Sequence, residues 1–109
     1  SALVTTDQRL KEEPQSAVAA VRALMKAHKA LKEDPSRATD VGKKRFPPSE
    51  AELIAELVRR DLPYYDVHIP AEKVVAMNRF AAEIGLLSAP VPYEDVVATQ
   101  FSQLWNQTV

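Results

Sequence analysis

A mostly α-helical chain is what this sequence predicts, and three observations carry the expectation. Apolar residues recur at three- and four-residue steps through several long stretches. Prolines stand where those stretches begin, at Pro14, Pro35, Pro47–Pro48 and Pro70. Strand-like character is confined to two short pieces, Ala2–Val4 and the "PYYDVHI" segment.

"ALVTTDQRL" opens with an apolar run, Ala2 to Val4, and reads as a short strand leading into a helical turn. Ten residues cannot make a sheet alone, so such a strand needs partners from elsewhere. The strongest helix is "PQSAVAAVRALMKAHKALKED", from Pro14 to about Glu33. Pro14 suits the first helical position, where its missing N–H would have no partner anyway. Val21, Leu24, Met25, His28 and Leu31 share one face, and Arg22, Lys26, Lys29 and Glu33 line the opposite one. In "DPSRATDVGKKRF" a shorter helix is started by Asp34 and Pro35, with Gly42 near its end.

"PPSEAELIAELVRRDL" contains a capping box, in which Ser49 accepts from the Glu52 N–H and the Glu52 carboxylate reaches back. Its expected buried face is Ile54, Leu57 and Val58, with Glu56 and Arg60 paired one turn apart outside. "PYYDVHI" is expected to be extended. "PAEKVVAMNRFAAEIG" is a helix expected to bury Val74, Met77, Ala81 and Ile84, ended by Gly85 in a left-handed conformation. "YEDVVATQFSQLWNQ" reads as one last helix, with Val97, Phe101, Leu104 and Trp105 on one face and Glu94 and Asp95 at its positive end.

Bulk properties exclude several function classes. With 46% hydrophobic and 27% charged residues, the chain falls among globular rather than disordered sequences. A net charge of −1 gives no general attraction to nucleic acid or anionic lipid. No apolar run approaches the roughly 20 residues that a membrane-spanning helix requires, so direct membrane insertion is not expected. The start "SALVTTDQRL" has neither the basic nor the apolar part of a signal peptide. The absence of cysteine removes disulfides, thiolate catalysis and cysteine-ligated zinc. Two glycines, Gly42 and Gly85, cannot make a glycine-rich phosphate loop, and no cofactor is expected.

Few residues point to chemistry. Asp66 and His68 have the types of a carboxylate-oriented imidazole, but a metal needs three or four ligands and no local pattern supplies the others. Both His68 and His28, on the apolar face of the long helix, are read as structural or surface histidines, and no metal site is expected. "GKKRF", Gly42 to Phe46, is a basic run that reads as a solvated helix end rather than a phosphate contact. The paired carboxylates Glu12–Glu13 and Glu50/Glu52 lie in caps and first turns. No serine has a histidine at triad spacing, so no catalytic residue is assigned. "PYYD" holds the ligand-binding candidates, Tyr64 and Tyr65. Adjacent tyrosines in an extended segment point to opposite sides, so both seal a helix crossing or one faces a cleft. A tyrosine offers a flat apolar body and one polar tip, which suits a small heterocycle or organic anion.

"LVTTDQRLKEEPQSAVAAVRALMKAHKALKEDPSRATDV" resembles a recurring segment of substrate-binding proteins of ABC importers, in the nitrate, sulfonate (taurine) and thiamine-precursor binding family. The corresponding features are Leu3 to Thr5, Glu13–Pro14, the Val18–Leu31 helix and Asp34–Pro35. "PAEKVVAMNRFAAEIGLLSAPVPYEDVVATQF" is similar to that family's carboxy-terminal pattern, through Ile84 to Leu87, Pro90, Pro92, Asp95 and Phe101. The resemblance covers nearly the whole chain. It implies the carboxy-terminal helical part of a two-lobed α/β periplasmic-binding-protein fold of type II, with at most one short strand near the amino terminus. Residues 1–46 would be the strand with its helices, and 49–109 the carboxy-terminal helices.

The implied function is solute capture outside the cytoplasm, not catalysis. Two lobes close on a sulfonate, nitrate, pyrimidine or similar small molecule and present it to a membrane permease. Most residues that clamp the solute would lie in lobes this chain does not contain. The chain alone would leave apolar surface bare and self-associate into a homo-oligomer. Two rivals stand beside this reading: a self-contained helical protein-interaction module, and an enzyme built on Asp66, His68 and a tyrosine.

Overall fold

The computed structural model describes residues 2–106 and is mostly helical. In chain order the helices are α1 (Asp7–Glu12), α2 (Pro14–Glu33), α3 (Ser36–Arg45), α4 (Pro48–Asp61), α5 (Ala71–Glu83), α6 (Tyr93–Val96) and α7 (Ser102–Trp105). Two 3₁₀ turns, Leu62–Tyr64 and Thr99–Phe101, complete the set among the described residues. Two compact units divide the described residues, the first running to Val67 and the second beginning at His68.

Prolines punctuate the chain. A proline disfavours the α conformation in the residue before it, so that residue leaves the helix. Glu13 before Pro14, Asp34 before Pro35 and Pro47 before Pro48 all adopt non-helical angles, which separates α1 from α2, α2 from α3 and α3 from α4. This rule also corrects the expected capping box. Pro48 forces Pro47 into the cap position, and the Pro47 carbonyl accepts from the Glu50 and Ala51 N–H groups, both at 3.0 Å. Ser49 therefore already lies inside the helix, and no side chain caps α4. Asp34 does close the start of α3, accepting from the Ser36 backbone N–H and the Ser36 hydroxyl. Those two bonds, the hydroxyl's first, hold its carboxyl below the usual carboxylate range.

In the first unit α3 and α4 are the closest pair. Ala38 and Gly42 of α3 and Ala51 and Ala55 of α4 are buried. A Cβ at Gly42 would stand 3.3 Å from Ala51 Cα, Cβ and O, so the absence of a side chain sets how near the helices come. The expected α4 face is corrected accordingly. Leu57 is exposed, Ile54 and Val58 are half-buried, and the small residues take the centre. Arg60 bonds Asp61 through two nitrogens, at 2.7 and 3.0 Å, instead of forming its close contact with Glu56. On α2, Met25 is buried and Val21, His28 and Leu31 are half-buried, whereas Leu24 is exposed. Arg22, Lys26, Lys29 and Glu33 all face water, as the periodicity predicts.

No strand forms among the described residues. Ala2–Val4, expected as a strand, is an exposed irregular segment with Val4 84% accessible. Without a neighbouring edge its backbone groups have no ladder to join. Thr6 then caps α1, its hydroxyl oxygen accepting from the Arg9 N–H.

In the second unit α5 buries Val74 and half-buries Asn78 and Ala81; Met77 and Ile84, expected inside, are exposed. Gly85 ends the helix with φ +77°, as expected. The Leu86 N–H donates to Ala81 O and the Gly85 N–H to Ala82 O, the paired bonds of a Schellman motif. The single terminal helix expected from Tyr93 onward is broken instead. Val97 is extended, Ala98 has φ −72° and ψ 74°, and the Thr99 N–H donates to Val97 O at 2.8 Å, an inverse γ-turn. Val97 and Leu104 are buried, and Phe101 and Trp105 half-buried. Gln107, where that helix was expected to end, lies outside the described residues.

Candidate functional site

The tyrosine pair lies where α4 gives out. Pro63 follows Leu62 directly, and the chain tightens into the 3₁₀ turn Leu62–Tyr64, closed by the Tyr65 N–H donating to Leu62 O at 3.1 Å. The extended conformation expected for "PYYDVHI" therefore begins only at Tyr65, with φ −68° and ψ 117°. Tyr64 is 83% accessible and faces water. Tyr65 is half-buried and stacks on His28 of α2, with ring centroids 5.2 Å apart and planes inclined by 29°. This contact unites two residues that sequence reasoning treated separately. Its only signals were a histidine on an apolar face and an aromatic pair after a helix.

His28 is set in an electrostatic balance. Burial lowers its pKa below 6.5, the charge of Lys32 one turn further along α2 lowers it again, and Asp66 opposes both. Its Nδ1 is enclosed and has no hydrogen-bond partner among the described residues. Asp66 belongs to the first unit and His68 to the second. His68 Nε2 lies 3.3 Å from Asn106 Oδ1, a donor–acceptor contact when that nitrogen carries the proton. Among the described residues no group of three or more histidines and carboxylates is arranged to hold a metal ion.

The second unit carries a different construction. Between Pro90 and Pro92, Val91 supplies the lone backbone N–H of three consecutive residues. Asn78 meets it with both ends of its side-chain amide: Oδ1 accepts from the Val91 N–H at 3.0 Å, and Nδ2 donates to Val91 O at 2.8 Å. Tyr93, next but one, donates its hydroxyl to Ile69 O. A polar Asn78 between Val74 and Ala81 on the inward face of α5 was the available clue, because a buried amide needs partners. Beside this clamp runs a shallow apolar groove of about 300 Å³, lined by Val75, Arg79 and Ala82 of α5 and by Ser88, Ala89 and Pro90. The other flank of the helix leaves Met77, Phe80 and Ile84 bare, at 63%, 53% and 53% accessibility.

These features are structural braces and uncovered apolar faces. Comparison of the chain with protein-family models, with curated proteins and with solved structures finds no match.

Proposed function

We propose that this chain is the carboxy-terminal helical segment of an extracytoplasmic substrate-binding protein of an ABC importer, serving capture of a small organic anion or heterocycle such as a sulfonate, nitrate or thiamine precursor. The observation that carries the reading is the bare flank of α5. Met77, Phe80 and Ile84 recur at three- and four-residue steps on one stripe, the pattern of a helix that packs against something. Leu86, 73% accessible, continues the apolar surface past the helix end. More polypeptide, the body of a two-lobed binding protein, would cover this stripe. The clamped Pro90–Val91–Pro92 joint fits the same role, because it fixes the path of the chain between α5 and the last helices. The sequence resemblance supplies the solute class. In this reading Tyr64, whose ring is exposed, meets the ligand, and Tyr65 supports it from the stack on His28.

The test is to express the open reading frame that contains this sequence and measure its melting temperature with taurine, nitrate and a pyrimidine. Capture of a cognate solute at about 100 times its Kd stabilises the protein by roughly 2.7 kcal/mol. The reading predicts such a shift for one of these classes, and loss of affinity in Tyr64→Ala. A reading frame encoding no α/β lobes would contradict it. So would a 109-residue chain that melts cooperatively as a monomer and binds no hydrophobic dye, which would establish the self-contained module.

A further inference from the structure

We propose that the His28–Tyr65 stack is a pH-sensitive latch: a neutral imidazole holds the Tyr64–Tyr65 turn on α2, and protonation releases it. The geometry argues for this at a single atom. His28 Nδ1 is enclosed and has no hydrogen-bond partner among the described residues. A neutral imidazole can carry its proton on Nε2 and leave Nδ1 as a bare lone pair. An imidazolium bears an N–H at both positions, so protonation forces a donor into a space without an acceptor, which is costlier than an unused lone pair.

The groups facing the ring divide. Tyr65 presents an aromatic face that attracts a cation, and Asp66 beside it attracts one too. Lys32 of α2 repels a second positive charge, and removal of the ring from water opposes charging most of all. Burial and Lys32 together prevail, so the ring's pKa lies below 6.5.

What the latch holds is specific. The Tyr65 N–H bond to Leu62 O lies within the turn and does not tie it to α2. The ring stack makes that tie, and it lies two residues before the first unit ends at Val67. Releasing it frees the segment that leads out of this unit. The device does not depend on the solute-capture reading, since it concerns contacts within this chain alone.

Nuclear magnetic resonance on the 109-residue chain tests it. His28 ring signals are titrated from pH 8 to pH 4.5, alongside the Tyr65 ring signals and its amide exchange corrected for intrinsic rate. The expected result is a His28 midpoint below 6.5, with Tyr65 changing at the same midpoint. Each unit of depression that opening relieves corresponds to about a tenfold increase in the open population on acidification; the part due to Lys32, on α2 with His28, stays in both forms. In His28→Phe, which keeps an aromatic partner without a titrating group, Tyr65 stays stacked across the range. In Tyr65→Ala, which uncovers the ring to water, the His28 midpoint moves up toward 6.5, because the burial lost outweighs the cation attraction lost. A His28 midpoint at or above 6.5 in the parent chain overturns the proposal. So does a Tyr65 transition that persists in the phenylalanine variant, or a His28 midpoint unmoved by Tyr65→Ala.

Discussion

Val91 has one N–H to offer between two prolines that have none, and Asn78 answers it with both halves of its amide. Asn78→Ala removes both bonds and leaves two part-buried backbone groups to find other partners. The expected loss is about 1–3 kcal/mol in urea unfolding of the second unit; a loss within experimental error would show that water replaces the side chain. The two glycines make a contrast at the same scale. Gly85→Ala meets nothing within 4 Å but must hold φ +77°, so it costs about 1 kcal/mol through the backbone alone. Gly42→Ala sits in ordinary helical backbone, where alanine is the better helix former by about 1 kcal/mol. There, however, its methyl group presses on Ala51 Cα and O, which are fixed by α4's own hydrogen bonds. Overpacking of about 1–3 kcal/mol outweighs the propensity gain, and a net loss near 1 kcal/mol is expected from chemical denaturation. His28 adds a pH dependence of defined sign. Its folded pKa lies below the unfolded value of about 6.5, so its contribution is complete above pH 6.5 and is lost as pH falls through the folded value. Melting temperatures of the parent and His28→Phe should therefore diverge on acidification from pH 7.5 to 5, the parent falling further.

At the scale of elements, the proline grammar of the sequence transfers well and the choice of buried face transfers poorly. Pro14, Pro35, Pro48 and Pro70 mark real helix starts or their immediate neighbours because the constraint they impose is local. Periodicity and residue size point to Ile54, Leu57 and Val58 on α4, yet Ala51 and Ala55 lie at the centre because Gly42 lets a small-residue stripe come close. That choice depends on the partner helix, which periodicity does not encode. The last helix breaks at Val97 and Ala98 for a related reason. Val96, Val97 and Thr99 are β-branched, so the helix had little intrinsic preference to set against burial of Val97. Of the candidate site, the tyrosine pair was visible as a motif, whereas its contact with His28, over 30 positions away, was not. Helix α1 shows how little holds an element with no buried residue. Thr6→Ala removes its cap, and hydrogen exchange of the α1 amides should quicken about fivefold, for a loss near 1 kcal/mol, while the global melting temperature stays put. A fall in global stability of the same size would mean that α1 is part of the cooperative unit.

For the whole molecule, the balance of covered and uncovered surface matters most. Among the described residues the buried apolar ones are Met25, Ala38, Ala51 and Ala55 in the first unit and Val74, Val97 and Leu104 in the second, and three of these seven are alanines. Against these few buried residues stand exposed Met77, Phe80, Ile84 and Leu86 in the second unit and Leu53 and Val41 in the first. A chain that buries alanine while exposing phenylalanine has faces suited to a covering partner. Binding of a hydrophobic dye to the folded 109-residue chain, compared with that of Met77→Lys/Phe80→Glu, tests this most directly. Strong dye fluorescence is expected from the parent and at least a severalfold loss in the double variant, with helicity by circular dichroism unchanged. A parent chain that leaves the dye dark, or a variant that binds it equally well, would contradict the claim that the α5 flank awaits a cover.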